Sequence, residues 1–89
     1  MNVVFDRSFV KSINKLKNPV IKTQVKQVIF EVEKATNLNE VRNVKKMEGF
    51  KNFYRVRIGN YRIGIELENG DIIRFIIAAH RKDIYKYFP

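Results

Sequence analysis

The 89-residue chain contains no cysteine and a single histidine. Disulfide frameworks, thiolate metal sites and multi-histidine metal sites are therefore excluded. Acidic residues are scarce, with nine Asp and Glu against eighteen Lys and Arg, for a net charge of +9. No apolar run reaches the length that spans a bilayer, and residues 1–10 (MNVVFDRSFV) show no apolar core or cleavage pattern of a secretory signal. A cytoplasmic location is the expectation. Internal repeats, linkers and low-complexity segments are also missing.

What remains is a short, basic, globular sequence. Its length predicts one domain over residues 1–89, and a hydrophobic fraction of 45% argues against disorder despite the charge. The positive excess predicts an anionic partner: nucleic acid, an acidic protein or an anionic membrane surface.

The pattern divides into helices and then strands. NVVF (2–5) is a strand candidate, and Asp6 or Ser8 caps a helix with Phe9, Ile13 and Leu16 on one face. Asn18-Pro19 ends it and starts a second helix to about Thr36, because proline suits a first helical turn and asparagine a cap. The apolar stripe of that helix is Ile21, Val25, Val28, Ile29, Val32 and Ala35. Lys11, Lys15, Lys22 and Lys26 lie outside the stripe; the preferred reading is a solvated face, and the alternative is a diffuse phosphate-attracting surface. Residues 37–43 read as a loop or poorly ordered turn.

From Val44 onward the period changes to two. VKKM is a short strand, FYRVRI a second, and YRIGIEL returns after a Gly59-Asn60 turn. Glu68-Asn69-Gly70-Asp71 turns into IIRFIIAA, whose apolar character on both faces predicts a central, covered strand. The tail HRKDIYKYFP is short and mixed in pattern, with room for one turn of helix. The expected fold is α+β: an N-terminal two-helix hairpin on one face of a small, mainly antiparallel sheet, with the other face free.

A two-residue loop at Gly59-Asn60 pairs Ile58 with Tyr61, Arg57 with Arg62, Val56 with Ile63, and Arg55 with Gly64. Alternation puts Val56, Ile58, Tyr61, Ile63 and Ile65 on the core face, and Arg55, Arg57 and Arg62 on the other. Like charges directly opposite each other destabilise a sheet, so folding alone does not select this pattern. Gly64 beside Arg55 leaves a hollow, and a hollow lined by guanidinium groups suits phosphate. The competing reading is that the arginines are solvated or pair with Glu66 and Glu68, as edge-strand charge often does.

His80, Arg81, Lys82 and Tyr85 follow the last strand and extend the cluster. Imidazole is the side-chain type that titrates near neutrality. Tyr85, Tyr87 and Phe88 offer stacking surfaces for bases, although for Tyr87 and Phe88 the core reading is preferred.

KKMEGFKNFYRVRIGNYRIGIEL, followed by an apolar strand and HRKDIY, resembles the RelE/ParE superfamily of type II toxins, and looks more like its RelE branch. The resemblance spans nearly the whole chain, including a K-x-x-G segment (Lys46, Gly49). It implies an endoribonuclease that cuts mRNA at the ribosomal A site, needs no metal or other cofactor, and is silenced by a cognate antitoxin in a hetero-oligomeric complex. The family's catalytic positions fall on Arg55 and Arg57 (usually basic, often lysine), Arg62, Arg81 and Tyr85, with His80 adjoining.

RNA can be cut by its own 2′-hydroxyl if charge growing on the phosphate is neutralised and two protons are managed. Arg62 and Arg81 suit the first task, and Tyr85 or His80 the second. Arg55, Arg57, Lys46, Lys51 and Lys82 are the expected RNA-binding residues. Arginine where relatives carry lysine rules out an amine base there, since guanidinium stays protonated. Two other readings share the fold: a ParE-type inhibitor of DNA gyrase, and a catalytically weak RNA-binding relative.

Overall fold

Asp6 closes one element and opens the next. In the computed structural model, which describes residues 1–89, strand β1 (Asn2–Phe5) leads to Asp6, whose carboxylate accepts from the Ser8 N–H and caps helix α1 (Arg7–Lys15). Asn18 does the same for α2 (Pro19–Lys34), accepting from Val20 and Ile21 at 3.0 and 3.3 Å. Each cap satisfies backbone donors that have no partner within the helix. The helical stripe is buried at Ile21, Val25, Val28, Val32 and Ala35, with Ile29 half-buried.

Residues 37–43 are ordered by more than loop chemistry. A 3₁₀ turn spans Leu38–Glu40, Asn37 caps it, the Glu40 carboxylate accepts from the Thr36 N–H at 3.0 Å, and Val41 is buried.

Four further strands follow: β2 (Val44–Lys46), β3 (Phe53–Ile58), β4 (Tyr61–Glu68) and β5 (Ile72–His80). With β1 they form one sheet in the order β1-β5-β4-β3-β2, antiparallel except for the parallel pair β1–β5. The β3–β4 register is the one derived from the two-residue turn, Ile58 opposite Tyr61 through Arg55 opposite Gly64. Gly59 takes φ +59°, as the first central residue of a tight hairpin turn requires.

A bulge interrupts β5. Pairing with β4 jumps from Gly64–Ile77 to Ile65–Phe75, leaving Ile76 without an opposite residue. Two serines one turn apart on α1 stitch this irregularity to the helix. Ser8 Oγ donates to the Ile76 carbonyl, and Ser12 Oγ accepts from the Ala78 N–H at 2.9 Å. Nothing in the apolar pattern of α1 announced this role.

The core lies between the helix hairpin and one sheet face, where Val32, Ile63, Ile65, Ile73 and Phe75 are fully enclosed. The opposite face is not wholly free, which corrects the expectation. The last turn of the chain, α3 (Ile84–Tyr87), folds back on it and buries Ile84 and Phe88, both outside the main core cluster. Phe88 fills the hollow expected at Gly64. Tyr87, also expected in the core, is 67% exposed. Residues 84 and 88 share the inner side of a helical turn, and 85 and 87 point away from it.

Candidate active site

Parity and register assemble the site. Arg55 and Arg57 of β3 and Arg62 of β4 stand on the face away from α1 and α2, with Arg57 directly opposite Arg62. Arg62 is held in place: its Nη1 donates to the Gly59 and Tyr61 carbonyls, both at 2.9 Å. Its remaining donors are left for a ligand. The end of β5 is tied to the same turn, since the Arg81 N–H donates to the Asn60 carbonyl at 2.7 Å. The hairpin turn is thus the common support of Arg62 and Arg81.

Electrostatics single out Arg62. Burial holds its guanidinium below the ordinary arginine pKa, and the charges of Arg55, Arg57 and Arg81 push the same way, while Tyr85 acts in the opposite sense. Arginine remains protonated regardless, so the consequence is a partly desolvated cation under the influence of other cations. An anion placed there offsets the repulsion and compensates the lost solvation with charge-assisted hydrogen bonds.

None of these arginines is neutralised by a carboxylate. The four ion pairs are Arg42–Glu31, Arg74–Asp6, Arg74–Glu68 and Lys86–Asp83. Glu68, an expected partner for the cluster, is taken by Arg74 at 3.0 Å. Glu66 stands opposite Phe53 and Arg74 and makes no ion pair. Neither acid pairs with the arginines, so of the competing reading only solvation remains, with Arg57 exposed.

Other expected residues separate. His80 lies opposite Tyr61, on the core side of the sheet, with the rings edge to face at 5.4 Å. Its Nδ1 accepts from the Lys82 N–H at 3.2 Å. Strand alternation turns it away from Arg62, so it does not join the arginine face. Lys46 is likewise displaced, being opposite Tyr54, which packs on the main core. Lys51 is in the exposed turn before β3, and Lys82 is exposed beyond β5. Tyr85, 57% exposed, is near enough to Arg62 to act on its charge.

The residue missed in the sequence is Lys45. It pairs with Arg55 and so stands on the arginine face, while Val44 pairs with Val56 toward the core. The alternation beginning at Val44 carried that signal. Nowhere do three or more His, Cys, Asp or Glu side chains gather as metal ligands do.

Comparison with known proteins bears on the whole fold. A sequence model of the family described as "ParE toxin of type II toxin-antitoxin system, parDE" matches residues 3–85. Toxin RelE3 of Methanocaldococcus jannaschii is 44% identical over 90 residues, covering all of both chains. The chain belongs to the RelE/ParE superfamily of type II toxins. Among superfamily structures, the RelB-RelE antitoxin-toxin complex from Methanococcus jannaschii matches with a TM-score of 0.80 at 44% identity, over 97% of this chain and 99% of that one. The archaeal RelE-RelB complex from Pyrococcus horikoshii OT3 shares the fold, with a TM-score of 0.72 at 22% identity over 90% of this chain and 93% of that one. No helix of this superfamily member is long and apolar enough to cross a membrane.

Proposed function

We propose that this toxin is a ribosome-dependent, metal-independent endoribonuclease that cuts mRNA at the A site, and that a cognate antitoxin neutralises it. The observation that carries the reading is the set of arginines around Arg62, which lack carboxylate partners and crowd one another on a single face. Such a cluster costs the free protein stability and is compensated when a phosphate backbone binds.

In the reaction, the 2′-oxygen of one nucleotide attacks the adjacent phosphorus. The O2′–P bond forms and the P–O5′ bond breaks. The 2′-hydroxyl loses its proton, and the departing 5′-oxygen gains one. Arg62 and Arg81 stabilise the charge that develops on the phosphoryl oxygens, the task to which fixed cations contribute most. Arg55, Arg57 and Lys45 hold flanking phosphates. Tyr85 carries a proton, because its phenol both donates and accepts and His80 is turned to the other side of the sheet.

Antitoxin control follows from the same charge. The archaeal relatives were crystallised as complexes of RelE with RelB. Here an acidic or amphipathic segment lying across the arginines neutralises them. A complex of this toxin with its antitoxin in which the arginine face stays open would sink that mode.

The matching ParE family description keeps gyrase inhibition as the second reading. Induced expression followed by mapping of mRNA 5′ ends separates the two. New ends inside translated codons support the nuclease, lost with Arg62→Ala. Growth arrest with intact mRNA and gyrase-linked DNA breaks supports the alternative.

A further inference from the structure

Gly64 is a point of close approach between the sheet and the C-terminal turn. A Cβ built on it would lie 2.7–2.8 Å from three ring atoms of Phe88, Cγ, Cδ1 and Cδ2. Any side chain at this position therefore forces the ring or the strand beneath it to shift. The ring is well held, with only 2% exposure, and Phe53 meets it edge to face at 5.5 Å. The Phe88 N–H donates to the Ile84 carbonyl at 2.9 Å, and Ile84 is fully buried. Two anchors therefore pin α3 at either end, and Tyr85 projects from between them.

We infer that the notch at Gly64, by seating Phe88, is the positioning device that holds Tyr85 over the sheet face that carries Arg62. Gly64 and Phe88 touch no substrate and act through Tyr85, so this inference rests on the nuclease reading for its catalytic consequence. Tyr85 is more than half exposed and makes no side-chain hydrogen bond of its own. Its placement thus depends on the flanking anchors. Arg55, Arg57 and Arg62 depend instead on the β3–β4 hairpin, whose register and Arg62 bonds are made within the hairpin itself. Phosphate binding rests on the hairpin and proton handling on the tail, and because Gly64 itself stands opposite Arg55, Phe88→Ala is the lesion that separates them.

The variants are Gly64→Ala, Phe88→Ala and, as the conservative control, Phe88→Leu. Two readouts apply: the Tyr85 ring resonances by NMR, and single-turnover cleavage and binding of programmed ribosomes. In Gly64→Ala and Phe88→Ala the Tyr85 ring shifts move to random-coil values while methyl resonances of Val32, Ile63 and Ile73 keep their positions. Cleavage falls by about 100-fold, the scale of a small misplacement of a catalytic group, and ribosome binding changes by less than about 2-fold. Adding Tyr85→Phe to Gly64→Ala lowers the rate no further, as expected when both changes remove one contribution. Phe88→Leu retains an ordered ring and most of the rate.

An unaltered Tyr85 ring in Gly64→Ala and Phe88→Ala would overturn the inference, as would rate losses that multiply independently in the double variant. Equal loss of binding would place the lesion in the arginine face and also overturn it. If the parent protein cuts no RNA, the nuclease reading fails, and the ring resonances alone still decide whether Gly64 and Phe88 hold Tyr85.

Discussion

Arg57 and Arg62 stand directly opposite each other across β3 and β4, with no carboxylate paired to either. Cross-strand like charges cost roughly 0.2–1 kcal/mol. Arg57→Gln is therefore expected to raise the urea midpoint of the free protein slightly at low salt, with the gain shrinking as salt screens the repulsion. The same change weakens RNA binding and lowers its salt dependence by about one unit of slope. Equilibrium unfolding and binding titrations across a salt series check both halves. A variant that is destabilised would show that Arg57 serves the fold.

Lys45 and Lys46 are adjacent in sequence but on opposite faces of the sheet edge. Lys45 is opposite Arg55, and Lys46 is opposite Tyr54. Lys45→Ala should weaken binding of single-stranded RNA by several-fold, about the loss of one phosphate contact. Lys46→Ala should change it little. Equal losses from both would mean that the two lysines act only as diffuse charge.

Acid sensitivity is expected at two hydrogen-bonded carboxylates. Hydrogen bonds from Ser8 hold the Asp6 carboxyl below its ordinary pKa, with the nearby Arg74 and Arg7 charges assisting, and hydrogen bonds from Thr36 do the same for Glu40. A group with a depressed folded-state pKa binds fewer protons when folded. Its stabilisation is present above the unfolded-state value and disappears as pH falls through the folded one. Stability should thus decline below about pH 4, and Asp6→Asn should flatten part of that decline because the carboxamide does not titrate there. Unfolding midpoints at descending pH test this, and an unchanged acid limb in Asp6→Asn would refute the assignment.

Ser12 is the second stitch at the β5 bulge, accepting from the Ala78 N–H and donating to the Phe9 carbonyl at 2.7 Å. Ser12→Ala leaves the Ala78 N–H unsatisfied beside the core, at a cost of about 1–3 kcal/mol. Thermal or urea denaturation measures the loss. Faster hydrogen exchange at Ala78 than at Ile73 would locate it.

Local chemistry made much of the fold legible. Asn18-Pro19 and Gly59-Asn60 each have one economical reading, and both set boundaries that the structure keeps. Alternation across the hairpin then sorted Val56 and Ile63 from Arg55 and Arg62 without tertiary information. The parts that were not legible depend on contacts between distant residues. The bulge at Ile76 is supported by serines far away in sequence. The packing of Phe88 on Gly64 depends on how the tail folds back. His80 was misplaced because its face is set by pairing with Tyr61, whereas proximity in sequence to Arg81 suggested the other side. Resemblance supplied the roles proposed for Arg81 and Tyr85, and no spacing in the chain would have done so.

The central claim is that the arginine face promotes attack by the RNA's own 2′-oxygen. Its most direct test uses purified toxin, ribosomes and an mRNA carrying one 2′-deoxynucleotide immediately 5′ of the scissile phosphate. Cleavage of the all-ribose message should leave a 2′,3′-cyclic phosphate and a 5′-hydroxyl, and the single deoxy substitution should abolish the cut at that phosphate. Undiminished cleavage of the deoxy-substituted message, or no cleavage of either message, would contradict it.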